Sequence, residues 1–207
     1  LEELQVYLLT YFAAFVGVVP PGLVNMSVAK ACLEKGRRNG VLMAFGASLV
    51  VLFQALVAIL ISKYIFSNPY VKDMFLQTGI VILILMFIYF LLSANKKKTQ
   101  QNLKKRAGTK SFFTGILVSA LNIFPIPYFV LIGTLLSNNF DVKFTLYNDI
   151  IFALSAALGT LTTLYLYIVF IMKIDGKTEV FKKYSNYFMA VLMLILIIIT
   201  WVRLSKT

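Results

Sequence analysis

Between Gly17 and Asn25 the chain reads Gly-Val-Val-Pro-Pro-Gly-Leu-Val-Asn, two prolines and two glycines inside an apolar run. Pro20 and Pro21 have no N–H, so a continuous helix through them leaves the carbonyls of Val16 and Gly17 without partners, and Gly22 tolerates whatever backbone angles follow. A helix restarting after Gly22 presents its first N–H groups and the positive end of its dipole, which favour a carboxylate. The released carbonyls of Val16 and Gly17 accept from an ammonium. One break therefore offers both signs of partial charge, the chemistry that holds a zwitterion. Asn25, and Asn122 further along, each bring one acceptor and two donors without a formal charge, and orient a polar ligand at less desolvation cost than an ion pair. The same amides also serve to bond neighbouring helices.

Composition decides what must hold such a break. Hydrophobic residues make up 60% of the 207 positions and charged residues 14%, with a mean hydropathy of +0.86, which excludes an ordinary water-soluble domain. The expectation is an all-α integral membrane protein with one membrane domain over 1–207, in contact with the lipid bilayer and without a soluble catalytic module. The net charge of +12 sits in loops between apolar runs, as in cytoplasmic membrane loops, and no base-stacking aromatics accompany it, so no nucleic-acid partner is expected. Cys32 is the only cysteine and there is no histidine. That removes intrachain disulfides, a dithiol relay and soft-metal sites; no metal and no cofactor are expected.

Six segments are long and nearly free of charge, at about 4–33, 39–62, 73–94, 111–137, 147–172 and 184–203, each near or above the roughly 20 residues of a spanning helix. The first lacks a basic leading segment and is too long and interrupted for a cleavable signal peptide, so it is expected to remain. Gly36 to Gly40 is short enough to be a tight turn, and the basic loop 96–110 divides the chain into halves of about 1–95 and 111–207. Lys and Arg number 14 in the loops after the first, third and fifth spans and five on the opposite side, with Lys30 inside the first span. This bias puts loop 96–110 in the cytoplasm and both termini outside.

Three spans per half make the second half inverted relative to the first. The fourth span, with Asn122, Pro125 and Pro127, is interrupted as the first is. At 1.5 Å per residue Pro20 lies about 24 Å along the first span and Pro125 about 21 Å along the fourth, entering from opposite faces. The pattern is that of two inverted three-helix repeats whose discontinuous first and fourth helices meet at a site near the midplane.

The run Pro-Pro-Gly-Leu-Val-Asn (20–25), followed by Lys35-Gly36-Arg37-Arg38-Asn39-Gly40 and by Ala44, Gly46 and Ala47, resembles the LysE-type translocators, exporters of amino acids. The likeness is closest over the first 60 residues and extends beyond them through the topology and Asn122. Here the chain has Pro-Pro-Gly where that family usually has Pro-Gly-Pro, and Ile123 and Phe124 separate Asn122 from Pro125. The resemblance implies a secondary carrier exporting amino acids or similar small zwitterions across a bacterial-type cytoplasmic membrane, and no enzyme. Its coupling ion would be a proton or Na+, with Asp149 and Lys30 as the ionisable candidates; oligomerisation stays open. A carrier of inorganic ions on a related inverted plan and a membrane assembly protein without a substrate are the alternatives.

Overall fold

A computed structural model describes residues 2–19, 22–67, 109–140 and 145–173, with scattered positions between 81 and 92 and between 187 and 201. Among the described residues the regular elements are helices: α1 (Glu2–Val18), α2 (Leu23–Lys35), α3 (Arg37–Ser67), α4 (Thr109–Ala120), α5 (Pro125–Asn139) and α6 (Leu146–Lys173). Pro20 and Pro21, most of the expected spans at 73–94 and 184–203, and nearly all of loop 96–110 lie outside them.

Among the described residues two helices are by themselves long and apolar enough to cross a bilayer, Arg37–Ile65 in α3 and Leu146–Phe170 in α6. α1 with α2, and α4 with α5, qualify only as pairs, bent by 71° and 66°. The first and fourth spans expected from the sequence are thus each two helices. The chain divides into one compact unit of residues 1–64 and 103–175 and another of 65–102 and 176–207. All six helices lie in the first unit, apart from the last residues of α3. In the second, Ala190 is buried, whereas Val81, Leu85, Leu92, Leu194 and Trp201 are exposed.

Local chemistry explains the boundaries. α1 closes on a tight turn, with the Val19 N–H on the Val16 carbonyl at 3.1 Å. α2 and α3 are separated by Gly36 alone, whose φ of +87° lies where L side chains are strained. The expected turn over Gly36 to Gly40 is therefore a single residue, and Arg37 already begins α3. Pro125 opens α5 in its first turn, where a missing N–H costs nothing. α4 cannot run on into α5, because a continuous helix would need the N–H groups that Pro125 and Pro127 lack.

Packing relies on small residues, since lipid tails are as apolar as leucine and supply no hydrophobic drive between helices. α1 packs on α6 and α5, and α2 on α6 and α4. α3 meets α4 backbone to backbone: a β-carbon on Gly46 would run into the Phe112 carbonyl, and one on Gly115 into the Met43 carbonyl. α6 meets α1 in the same way, with Gly159 against the Tyr11 carbonyl. The stripe of Gly40, Ala44 and Ser48 is buried too, but the closest approaches are at Gly46, Gly115 and Gly159. Val24, Val28, Cys32, Ala44, Ala47 and Leu164 form a core cluster, and Val18 and Val118, close to the ends of α1 and α4, both pack against it.

Candidate functional site

Val18 at the end of α1 and Val118 near the end of α4 pack against one core cluster, and the ends of both helices are finished by side chains from other helices. At the end of α1 the Phe15 carbonyl accepts from Thr163 Oγ1 at 2.8 Å and the Ala13 carbonyl from the Tyr128 hydroxyl at 2.7 Å. The Val18 carbonyl accepts from Asn25 Nδ2 and the Val19 carbonyl from the Tyr167 hydroxyl. The expectation of a released Val16 carbonyl needs correction: the Val19 N–H occupies it, because the chain tightens into a turn before the prolines instead of leaving the last turn open.

Gly22 stands at the start of α2 in an extended conformation (φ −89°, ψ −171°), and no side chain caps the helix there. It is exposed, and a β-carbon on it would meet nothing within 4 Å. The backbone at Gly22 therefore does not demand glycine, and what the glycine provides is open access to the first N–H groups of α2. Asn25, one turn inside, is buried at 4% exposure. Gly17 is the opposite case: a β-carbon there would stand 2.9 Å from Cζ and the hydroxyl oxygen of Tyr128.

At the end of α4 the Leu117 carbonyl accepts from the Leu121 N–H at 3.1 Å and the Ser119 carbonyl from the Asn122 N–H at 3.0 Å. Gln54 Nε2 of α3 donates to the Asn122 carbonyl at 2.8 Å and to the Ser119 carbonyl at 3.3 Å. The Asn122 side chain is half-buried and has no hydrogen-bond partner among the described residues. Pro125 and Pro127 occupy the first turn of α5. Tyr128 follows directly, so the start of α5 touches the last turn of α1. Of the residues singled out in the sequence, Gly17 lies against Tyr128, Asn25 is buried on the Val18 carbonyl, and Pro125 and Pro127 lie in the turn that leads to Tyr128.

The ionisable candidates lie elsewhere. Asp149 is buried at 4% exposure in the first turn of α6. It lines a crevice between α1, α3, α5 and α6 with Val6, Tyr7, Ile59, Gly133 and Phe152. Beside it Asn148 accepts from the Tyr7 hydroxyl at 2.8 Å and donates to Glu3 Oε1 at 3.2 Å. Lys30 pairs with Glu34 of its own helix at 3.7 Å. Among the described residues no group of His, Cys, Asp and Glu could hold a metal.

A model of the LysE type translocator family matches residues 15–199, a stretch that begins before the first interruption and includes the second. The chain belongs to the LysE type translocator family. No curated protein and no solved structure matches it. As a LysE type translocator it is a multi-pass membrane transporter, and its partners are a small molecule and the lipid bilayer. In this translocator nothing in the sequence singled out Tyr128 and Tyr167, which finish the end of α1, and Thr163 stood out only as a mild polar spot in the fifth span. Aromatic and threonine side chains are common in membrane helices, and only the fold shows which carbonyl each one reaches. Gln54 carried a weak signal, an amide near the middle of a largely apolar span.

Proposed function

We propose that this translocator is a secondary carrier that exports an amino acid or a similar small zwitterion across a bacterial-type cytoplasmic membrane. One observation carries the reading: of two bent helix pairs, the second reaches the last turn of α1 just past its own interruption, with Tyr128 of α5 seated on Gly17 of α1. Discontinuous helices at mid-membrane offer helix-end charges to a ligand, and their N-termini suit a carboxylate. The open start of α2 at Gly22 fits that role, with Gly17, Pro20, Pro21 and Asn25 on one side and Asn122, Pro125 and Pro127 on the other.

An inverted repeat underlies the site in this proposal, and equivalent contacts support it. Gly46 abuts Phe112 and Ile116, while Gly159 abuts Tyr11 and Phe15. Tyr11 to Phe112 and Phe15 to Ile116 are both steps of 101 residues (112 − 11, 116 − 15). Gly46 to Gly159 and Gln54 to Tyr167 are both steps of 113 (159 − 46, 167 − 54). Gln54 and Tyr167 bond the carbonyl ends of α4 and α1 respectively, so matching positions do matching work in the two halves. Both termini are outside and loop 96–110 is cytoplasmic in this reading, and Asp149, the more buried of the two ionisable candidates, couples export to a proton or Na+.

Efflux of labelled amino acids from vesicles containing the purified full-length protein tests the function. The expected result is protein-dependent efflux of at least one zwitterion, accelerated by an imposed proton or Na+ gradient. Movement of inorganic ions with no amino-acid flux would overturn it.

A further inference from the structure

Gln54 lies about 26 Å from Arg37 along α3, a helix of about 46 Å, and so close to its middle. It is buried at 8% exposure. Both of its Nε2 contacts are backbone carbonyls, those of Ser119 and Asn122. A carbonyl only accepts, so the amide orientation is fixed: nitrogen toward the α4–α5 turn, oxygen away from it. That oxygen, Oε1, is buried and has no hydrogen-bond partner among the described residues. A buried acceptor left open carries its full desolvation cost, and a protein removes that cost most simply by bringing a donor. The Asn122 side-chain amide, whose own carbonyl takes one of the Gln54 bonds, is likewise without a partner among the described residues, whereas the Phe15, Ala13, Val18 and Val19 carbonyls at the end of α1 are taken by Thr163, Tyr128, Asn25 and Tyr167. The hydroxyls of Ser48 and Thr160 are also buried without a partner among the described residues; the two open amides are on the side of the second interruption.

We infer that Gln54 Oε1 is a substrate-binding acceptor that takes an N–H of the ligand's ammonium group, with the Gln54 amide held in register by the α4–α5 turn. The inference rests on the zwitterion-export reading and divides the ligand between the two interruptions: carboxylate toward the start of α2, ammonium toward Gln54. Specificity follows from the chemistry. A primary or secondary ammonium can donate to Oε1, whereas a quaternary one cannot.

The test uses the full-length protein in vesicles and the amino acid that it moves fastest, compared with the N,N,N-trimethyl derivative of the same amino acid. The derivative keeps the carboxylate, the side chain and the positive charge but has no N–H. Wild-type protein is expected to take it on the order of ten- to a hundredfold less well, the value of a hydrogen bond to a charged group. Gln54→Met keeps the length and approximate volume of the side chain and removes its amide. It is expected to lose the parent amino acid by a similar factor and to handle the trimethyl derivative within about twofold of wild type, so that the discrimination collapses. Exclusion by size would persist in that variant, because the space is unchanged. Equal losses for both compounds would make Gln54 only an anchor for the α4–α5 turn and overturn the inference. So would equal handling of the two compounds by the wild type, a result independent of whether any variant folds. Absence of amino-acid flux in the wild type would instead reject the export reading, and this assignment with it.

Discussion

The ring of Tyr128 fills the space that a side chain on Gly17 would occupy, and its hydroxyl donates to the Ala13 carbonyl one turn earlier in α1. A residue just past the second interruption thereby fixes the approach of α5 to the last turn of α1. Gly17→Val is predicted to push the ring out and break that bond, costing about 1–3 kcal/mol as overpacking does. Tyr128→Phe keeps the ring and should cost only about 0.5–1.5 kcal/mol. Thermal unfolding of the purified variants measures both, and a Gly17→Val protein as stable as wild type would show that the contact is dispensable.

The second prediction concerns Gly46 and Gly115, where α3 and α4 cross. The obstacle to a β-carbon is a backbone carbonyl in each case, Phe112 for Gly46 and Met43 for Gly115, and a carbonyl in a helix has no rotamer to move into. Even Gly115→Ala should therefore destabilise the protein by about 1–3 kcal/mol. Membrane yield and unfolding temperature are the readouts; an unaltered Gly115→Ala protein would mean that the helices can separate without cost.

How much of this was legible beforehand follows from the kind of signal each feature leaves. Pro125 and Pro127 mark the second interruption because proline chemistry is local: the absent N–H stops a helix in any surroundings. Long apolar runs between basic loops mark α3 and α6 for the same reason. Asn25 and Gly17 were identifiable as unusual residues, but their roles were not. Whether an asparagine holds a ligand or a carbonyl seven residues earlier depends on how the chain bends. Gly22 stood out as a glycine serving backbone freedom, yet its angles suit any residue, and its neighbourhood is what sets it apart. Gly159 and Gly46 become paired only once α1 and α4 are placed against them, information that no single stretch of sequence contains.

A third prediction separates the two asparagines. Asn25 is buried and bonded to the Val18 carbonyl, so Asn25→Ala should cost stability, about 1–3 kcal/mol, along with transport. The Asn122 side chain, by contrast, has no partner among the described residues, so Asn122→Ala should leave the unfolding temperature unchanged and weaken substrate binding. Comparing unfolding with transport for the two variants checks this. A large loss of stability in Asn122→Ala would assign that amide a structural bond.

The fourth prediction is topological and comes from the bias of 14 basic residues to five. With the buried Cys32 replaced by alanine, a cysteine introduced at Gln100 should react with an impermeant thiol reagent only in inverted vesicles, and one introduced at Glu2 only in intact cells. Labelling of position 100 from outside would reverse the orientation, and with it the direction of the proposed transport.

The last prediction uses Gly22 against Gly46, two glycines that differ in what surrounds them. A side chain on Gly22 meets nothing within 4 Å, and its extended backbone angles (φ −89°, ψ −171°) suit even a β-branched residue. Gly22→Val should therefore fold and insert at wild-type levels. Gly46→Val should not, because its β-carbon runs into the Phe112 carbonyl. If the first N–H groups of α2 receive the ligand's carboxylate, the valine at position 22 stands at their approach and excludes it. The expected outcome is a well-expressed Gly22→Val protein of wild-type unfolding temperature whose amino-acid efflux is lost, with Gly22→Ala intermediate. Measured beside the poorly folded Gly46→Val, this result would trace the loss to the site and not to stability. Full efflux by a stable Gly22→Val protein would move the carboxylate site away from the start of α2.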